Sequence, residues 1–247
     1  MAKLLRTMTA FCLLLFLLFI LAACGLMGPA AKPEVGPAGK PTESKPNPPV
    51  GERFNAAPDR LYDLEAIAGA LFEGINKENW PQAESGLYNL QAAWEQTKPL
   101  VGDMKGVKEA DEAIGKLGGS VADKKVTASY ENLNKFMGAV GDIAKSYKLS
   151  PLADIVAVGN AVRSVSFYVE DNNWSKAASK VKGLEDTWNQ VKPSMEQFGI
   201  LGAVTTTHSH VKQLKDAVNA ENKGAVGEQV AGLNESLGRI REYYRGK

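Results

Sequence analysis

Twenty-nine basic and 28 acidic side chains leave 247 residues with a net charge of +1, which argues against the strongly basic face of a nucleic-acid binder. Both cysteines, Cys12 and Cys24, fall in the first 24 residues, so the remainder can form neither a disulfide nor a thiolate zinc site. A hydrophobic share of 44% beside 23% charged residues is that of a globular chain, long enough for one large or two small domains.

The chain opens with Lys3 and Arg6, then an apolar run from Met8 to Leu21. That is the layout of a signal peptide, and the run is short of the ~20 residues that span a membrane. Leu21-Ala22-Ala23-Cys24-Gly25 resembles the lipobox of bacterial lipoproteins. The resemblance implies recognition by the signal peptidase through Leu21, Ala22 and Ala23, and removal of residues 1–23. It also implies diacylglycerol on the Cys24 thiol, with a further acyl chain such as palmitate on the new amine. Two or more chains anchor a protein stably. The expected location is therefore the extracytoplasmic face of the cell membrane. Without the resemblance, an uncleaved anchor with Cys24 at the interface is the other reading.

From Cys24 to Ala57 the chain carries seven prolines among Gly, Lys, Glu and Ser, and almost no large apolar side chain. Such a segment cannot bury enough surface to offset its ordering entropy, and it reads as a disordered tether. PxxP occurs at Pro46–Pro49 as a weak docking motif.

From Pro58 onward, apolar residues recur at steps of three and four in eight stretches, each the stripe of an amphipathic helix. In the first half they run through Leu61 to Ile75, Trp80 to Trp94, Val107 to Val121, and Ser129 to Tyr147. In the second they run through Ile155 to Val169, Trp174 to Met195, Val204 to Val218, and Val226 to Tyr244. The halves align at an offset of 94 for their first two helices and 97 for their last two, which places a three-residue insertion near Gly199 to His208. All four tryptophans, Trp80, Trp94, Trp174 and Trp188, obey the repeat. They sit on the buried stripes and are expected in the core. Asn79 and Asn173 are expected to cap the tryptophan helices, and Pro99 and Pro193 to end or kink them near Lys98 and Lys192. Ser150-Pro151 reads as a cap followed by the first helical residue. Gly118-Gly119 and Gly224 read as breaks before the fourth helices.

The expected fold is all-α: two tandem up-down four-helix-bundle repeats after a disordered Pro-rich linker, with repeat 1 over residues 58–149 and repeat 2 over 150–247. One fused eight-helix array is the alternative. The second half, through Trp174, Ala177, Trp188, Lys192 and His208 or His210, resembles an uncharacterised helical domain family of Gram-positive bacteria. That resemblance implies no catalytic residue.

Residues able to do chemistry are sparse. His208 and His210 are the only histidines, and their i, i+2 spacing points them to different faces of a helix, whereas a helical metal pair needs i, i+4. They remain weak metal candidates, with Glu196 or Asp216 as further ligands, and are otherwise expected at a solvated helix start. Gly115 to Gly119 has neither dinucleotide nor phosphate-loop spacing. Arg239, Arg241, Arg245 and Lys247 form a basic end, read as solvated or in contact with anionic lipid. No cofactor is expected. The expectation is a non-enzymatic, membrane-anchored lipoprotein acting as a helical interaction or scaffold module for an envelope protein or cell-wall component. The alternative is a lipoprotein that binds a metal, haem-like or apolar ligand. A buried polar cluster or cavity would favour the latter, and filled bundles with an exposed apolar patch the former.

Overall fold

A computed structural model describes residues 57–148, 150–196 and 200–245. The signal segment 1–23, the lipobox with Cys24, and the linker up to Ala56 lie outside the described residues. Among those described there are eight helices and no strand: α1 (Asp59–Asn76), α2 (Trp80–Val101), α3 (Val107–Ala122), α4 (Val126–Ala144), α5 (Leu152–Glu170), α6 (Trp174–Glu196), α7 (Leu201–Asn219) and α8 (Lys223–Tyr244).

The stripes read from the sequence are the faces that the helices bury. Leu61, Leu64, Ala68, Leu71 and Ile75 of α1 are fully covered, as are Leu133, Phe136, Val140 and Ile143 of α4. Within α1–α4 each helix packs on the next and α4 returns to α1; α5–α8 close in the same way. The two rings meet where α5 packs on α1 and α4, and one continuous apolar core runs through both. α5 is therefore covered by α1, α4, α6 and α8, which explains why it is apolar on nearly every side. It is long and apolar enough to cross a membrane, with 56% of its most apolar stretch buried in the bundle.

Four tight connections set the up-down path, each built alike. Glu78, Lys124, Asn172 and Glu221 adopt left-handed φ values of 53°, 55°, 53° and 50°. Each donates its N–H to a carbonyl three residues back, and the next residue donates to one five back, as Asn79 does to Gly74. This is the Schellman arrangement that satisfies the last carbonyls of a helix. Asn79, Asn173 and Asn222 then cap the following helix, accepting from the N–H groups of Gln82, Lys176 and Ala225.

Several expected boundaries move. α2 and α6 run through Pro99 and Pro193 to Val101 and Glu196, because a proline in the last turn forfeits a single hydrogen bond there. Gly118-Gly119 lies inside α3 and Gly224 inside α8; the breaks are the Schellman turns at Lys124 and Glu221. The Ser150 hydroxyl accepts from Leu152 N–H at 3.2 Å, so α5 starts at Leu152 and not at Pro151. α7 starts at Leu201, three residues before Val204, the counterpart of the first residue of α3.

Candidate functional site

The two rings meet along α1 and α5, which run in the same direction: Tyr62 Oη lies 2.6 Å from Ser150 Oγ, and Asn76 Nδ2 donates to Ser166 Oγ at 3.4 Å. Between these contacts lies the one fully buried ion pair among the described residues. Arg163 donates from Nη1 and Nη2 to the two carboxylate oxygens of Glu65 at 2.8 and 3.2 Å, and Nη2 also donates to Asn160 Oδ1 at 2.6 Å. Both side chains are more than nine-tenths buried. Glu65 lies against Gly159 as it reaches Arg163; a Cβ there would collide with the carboxylate as placed. Arg163 Nε has no hydrogen-bond partner and is buried.

Arg163 also lines a cleft. α1 and α8 both pack on α5, but α8 stands off α1, leaving a groove of about 220 Å³ floored by Val162, Arg163 and Ser166. Phe72 and Gly69 form the α1 wall; Val226, Gly227 and Val230 form the α8 wall. The groove opens along the same seam into a wider depression bounded by Glu65, Gln82 and Leu237. Its charged residues are matched in pairs: Glu65 with Arg163, Glu73 with Lys77 at 3.0 Å, and Glu170 with Lys223 at 2.7 Å. At the far end Arg245 crosses from the end of α8 to Asp63 at 2.8 Å.

The opposite side of the junction is closed. There α4, the counterpart of α8, packs directly on α5. Position for position, Gly227 corresponds to Tyr130, Glu73 to Phe167 and Asn234 to Met137. The Tyr130 ring stacks on Phe167 at 4.1 Å, meets Phe72 edge-on at 6.0 Å, and its hydroxyl donates to Ser164 at 2.8 Å. Met137 is fully buried. Thus one side is plugged with aromatic and thioether side chains, while glycine and polar residues hold the other open. A Cβ on Gly69 or Gly227 would meet nothing within 4 Å.

The tryptophans divide into two kinds. Trp94 and Trp188 are fully buried; Trp80 and Trp174 open their helices, half-buried against the core. Each buried indole N–H finds a partner at the same repeat position. Trp94 donates to Asp111 at 2.7 Å, and Trp188 to His208 Nδ1 at 3.2 Å, with His208 standing 97 residues after Asp111. Lys98 completes the first cluster, 3.1 Å from Asp111. Its counterpart Lys192 turns to Glu196 at 2.9 Å. The His208 pKa is lowered from 6.5, first by burial and then by Lys212 and Lys192, against the opposing pull of Glu185 and Glu196. Because His208 Nδ1 accepts from the indole, the ring proton of the neutral imidazole sits on Nε2.

His210, on another face of α7, contacts Gln229 at 2.8 Å and packs on Gly232. The two histidines do not converge with each other, and no group of three His, Cys, Asp or Glu residues that could hold a metal occurs among the described residues. Of the basic C-terminal end, Lys247 lies outside the described residues, and the three arginines are drawn into ion pairs: Arg239 with Glu235, Arg241 with Glu242, and Arg245 with Asp63 and Glu242.

The Glu65–Arg163 pair and its cleft escape a reading of the sequence because the partners are 98 residues apart and a lone carboxylate or guanidinium normally faces solvent. A signal does exist: Arg163 is the only basic residue in the run from Ile155 to Val169, and its counterpart in the first half is Gly69. No family model, curated protein or solved structure matches the chain.

Proposed function

We propose that this chain is a duplicated four-helix unit, carried at the extracytoplasmic face of a membrane on a lipidated Cys24, and that it binds a small ligand in the cleft between its two halves. The single observation that carries the ligand reading is the one-sided junction: related frames plug one side with Tyr130, Phe167 and Met137, and leave the other open over Arg163. Polar groups converging in a partly apolar cleft are the ordinary makings of a binding site.

A scaffold that docks a protein on a helix face would display a contiguous apolar patch of a few hundred Å². Among the described residues the large exposed hydrophobic side chains are Tyr88, Leu100 and Leu201, on two helices. Tyr88 and Leu100 are twelve residues apart on α2, about 120° around its axis.

Two experiments test the two parts. Thermal unfolding of the full chain against a panel of small organic molecules is expected to give a saturable rise that vanishes in Gly227→Tyr. A ligand at 100 times its dissociation constant adds about 2.7 kcal/mol. No shift anywhere in the panel, or the same shift in Gly227→Tyr, would remove the cleft as the site. Labelled palmitate is expected to enter the wild-type protein in bacterial cells and not Cys24→Ser. Equal labelling would remove the anchor.

A further inference from the structure

We infer that the helical part meets the lipid surface with one end, the end at which the chain enters it, through Leu100 and Leu201; this rests on the lipidated Cys24 proposed above and adds a second membrane contact to it. Topology sets the two ends. α1 and α5 run in the same direction and the helices alternate up and down, so the four Schellman turns, at Glu78, Lys124, Asn172 and Glu221, all lie at one end. The start of α1 and the connections α2–α3, α4–α5 and α6–α7 lie at the other. Side-chain contacts pin that second end. Lys98 of α2 pairs with Asp111 of α3 at 3.1 Å, Ser194 of α6 donates to Asp154 of α5 at 3.1 Å, and Arg245 reaches Asp63 of α1 at 2.8 Å.

The ends differ in what they show to solvent. Residues 77–79, 123–125, 171–173 and 220–222 of the Schellman turns are charged residues and asparagine, with Ala220 the one apolar side chain. At the other end Leu100 closes α2 and Leu201 opens α7, 55% and 59% exposed. The two rings join through α1, α4 and α5, so α2 and α7 lie on flanks away from the joint. Two leucines on separate flanks but at one end suit a broad surface, such as a bilayer, better than a single docked segment. The chain brings that surface to the same end, because residues 25–56 run from Cys24 to Ala57, beside the start of α1. Extended at ~3 Å per residue, they reach roughly 100 Å, so the tether permits the contact and the leucines choose the end. A weak apolar contact counts here because anchoring keeps the bilayer at high effective concentration. Exposed charges of both signs stand at this end, Asp59 and Asp103 with Lys105 and Lys148, so the attraction is apolar and not electrostatic. The orientation turns the part of the cleft bounded by Asn76, Glu170 and Lys223 away from the membrane.

The test uses the lipoprotein purified from bacterial membranes in a Cys12→Ser background and reconstituted in phosphatidylcholine vesicles. A bimane dye is placed on Leu100→Cys, Leu201→Cys, Ala122→Cys or Ala220→Cys, and lipid bearing a nitroxide is the quencher. Both alanines are exposed, one in each ring at the Schellman end. Quenching is expected to be about threefold or more stronger at positions 100 and 201 than at 122 and 220. It should persist in ~1 M salt, where the screening length is about 3 Å. A dye on Lys148→Cys reports on the same end with both leucines in place. Leu100→Ser/Leu201→Ser should lower its quenching to the level of Ala122→Cys while the unfolding midpoint confirms the fold. Equal quenching at the two ends, stronger quenching at 122 or 220, or quenching at Lys148→Cys that ignores the leucine replacements would overturn the contact. The parent without an added cysteine separates the anchor from the contact. With Cys24 lipidated it takes no dye and stays on the vesicles. A parent that takes dye and remains in solution would overturn the anchor and this contact with it.

Discussion

At the scale of single residues, one buried and one half-buried polar contact carry the most weight. Glu65 and Arg163 are each other's only full charge compensation. Removing one leaves the other charged in the interior, at a cost of about 3–5 kcal/mol, whereas exchanging both for apolar residues of similar size is often neutral. Urea unfolding should therefore find Glu65→Met and Arg163→Met each strongly destabilised, and the double variant within about 1 kcal/mol of wild type. A double variant as weak as the sum of the singles would show that the two do not act as a pair. The second contact is Trp188 to His208. Its folded pKa lies below 6.5, so below that pH the unfolded chain binds more protons than the folded one. Stability is then full above pH 6.5, falls as the pH drops through the interval down to the depressed value, and falls no further from this cause. His208→Asp would install the arrangement of Trp94, Asp111 and Lys98 in the second half. Urea midpoints at pH 7.5 and 5.5 should separate for wild type and move closer together for His208→Asp; equal separation would assign the pH dependence to other groups.

At the scale of helices, the stripes were legible because burial imposes a 3.6-residue period on apolar side chains whatever the tertiary partner. The ends were less so. Prolines 99 and 193 and the glycines at 118, 119 and 224 are punctuation only when the backbone needs it, and here three of the four Schellman turns use charged residues at the left-handed position. Helix spacing was also hidden. α1 and α2 approach so closely at Gly74 that a Cβ there would lie 2.7 Å from Ala83 N, and one on Gly86 would lie 2.9 Å from Leu71 Cα. In the second half the counterpart of Gly74 is Tyr168, with the ammonium groups of Lys176 and Lys180 over its ring at 5.2 and 5.8 Å. Gly74→Ala should thus cost about 1–3 kcal/mol, since backbone cannot yield as a side chain can. Gly115→Ala, in open space within α3, should gain up to about 1 kcal/mol from helix propensity. Denaturant unfolding of the two variants checks both signs, and a neutral Gly74→Ala would contradict the close approach.

At the scale of the whole molecule, positions 94 or 97 residues apart match over most of the frame and diverge around the cleft. Identical positions in the two halves hold the buried tryptophans, their N–H acceptors and the helix-ending turns. Departures cluster at the junction: Glu65 against Gly159, Arg163 against Gly69, Gly227 against Tyr130. The register of each half was readable, because periodicity is local. The pairing of α1 with α5 was not, because the order in which equivalent rings join depends on contacts about a hundred residues apart. The chain holds unfilled space on one side of that junction, and the free energy of unfolding of Gly227→Tyr against Gly227→Ala measures it. Both variants gain helix propensity over glycine, tyrosine a few tenths of a kcal/mol less than alanine, so any excess stability of Gly227→Tyr reports what the ring meets. If the cleft is open, tyrosine covers apolar surface there, as Tyr130 does opposite, and Gly227→Tyr should be the more stable by about 1 kcal/mol or more. A Gly227→Tyr protein less stable than Gly227→Ala by that amount would mean that the space is already filled and the junction has no open side.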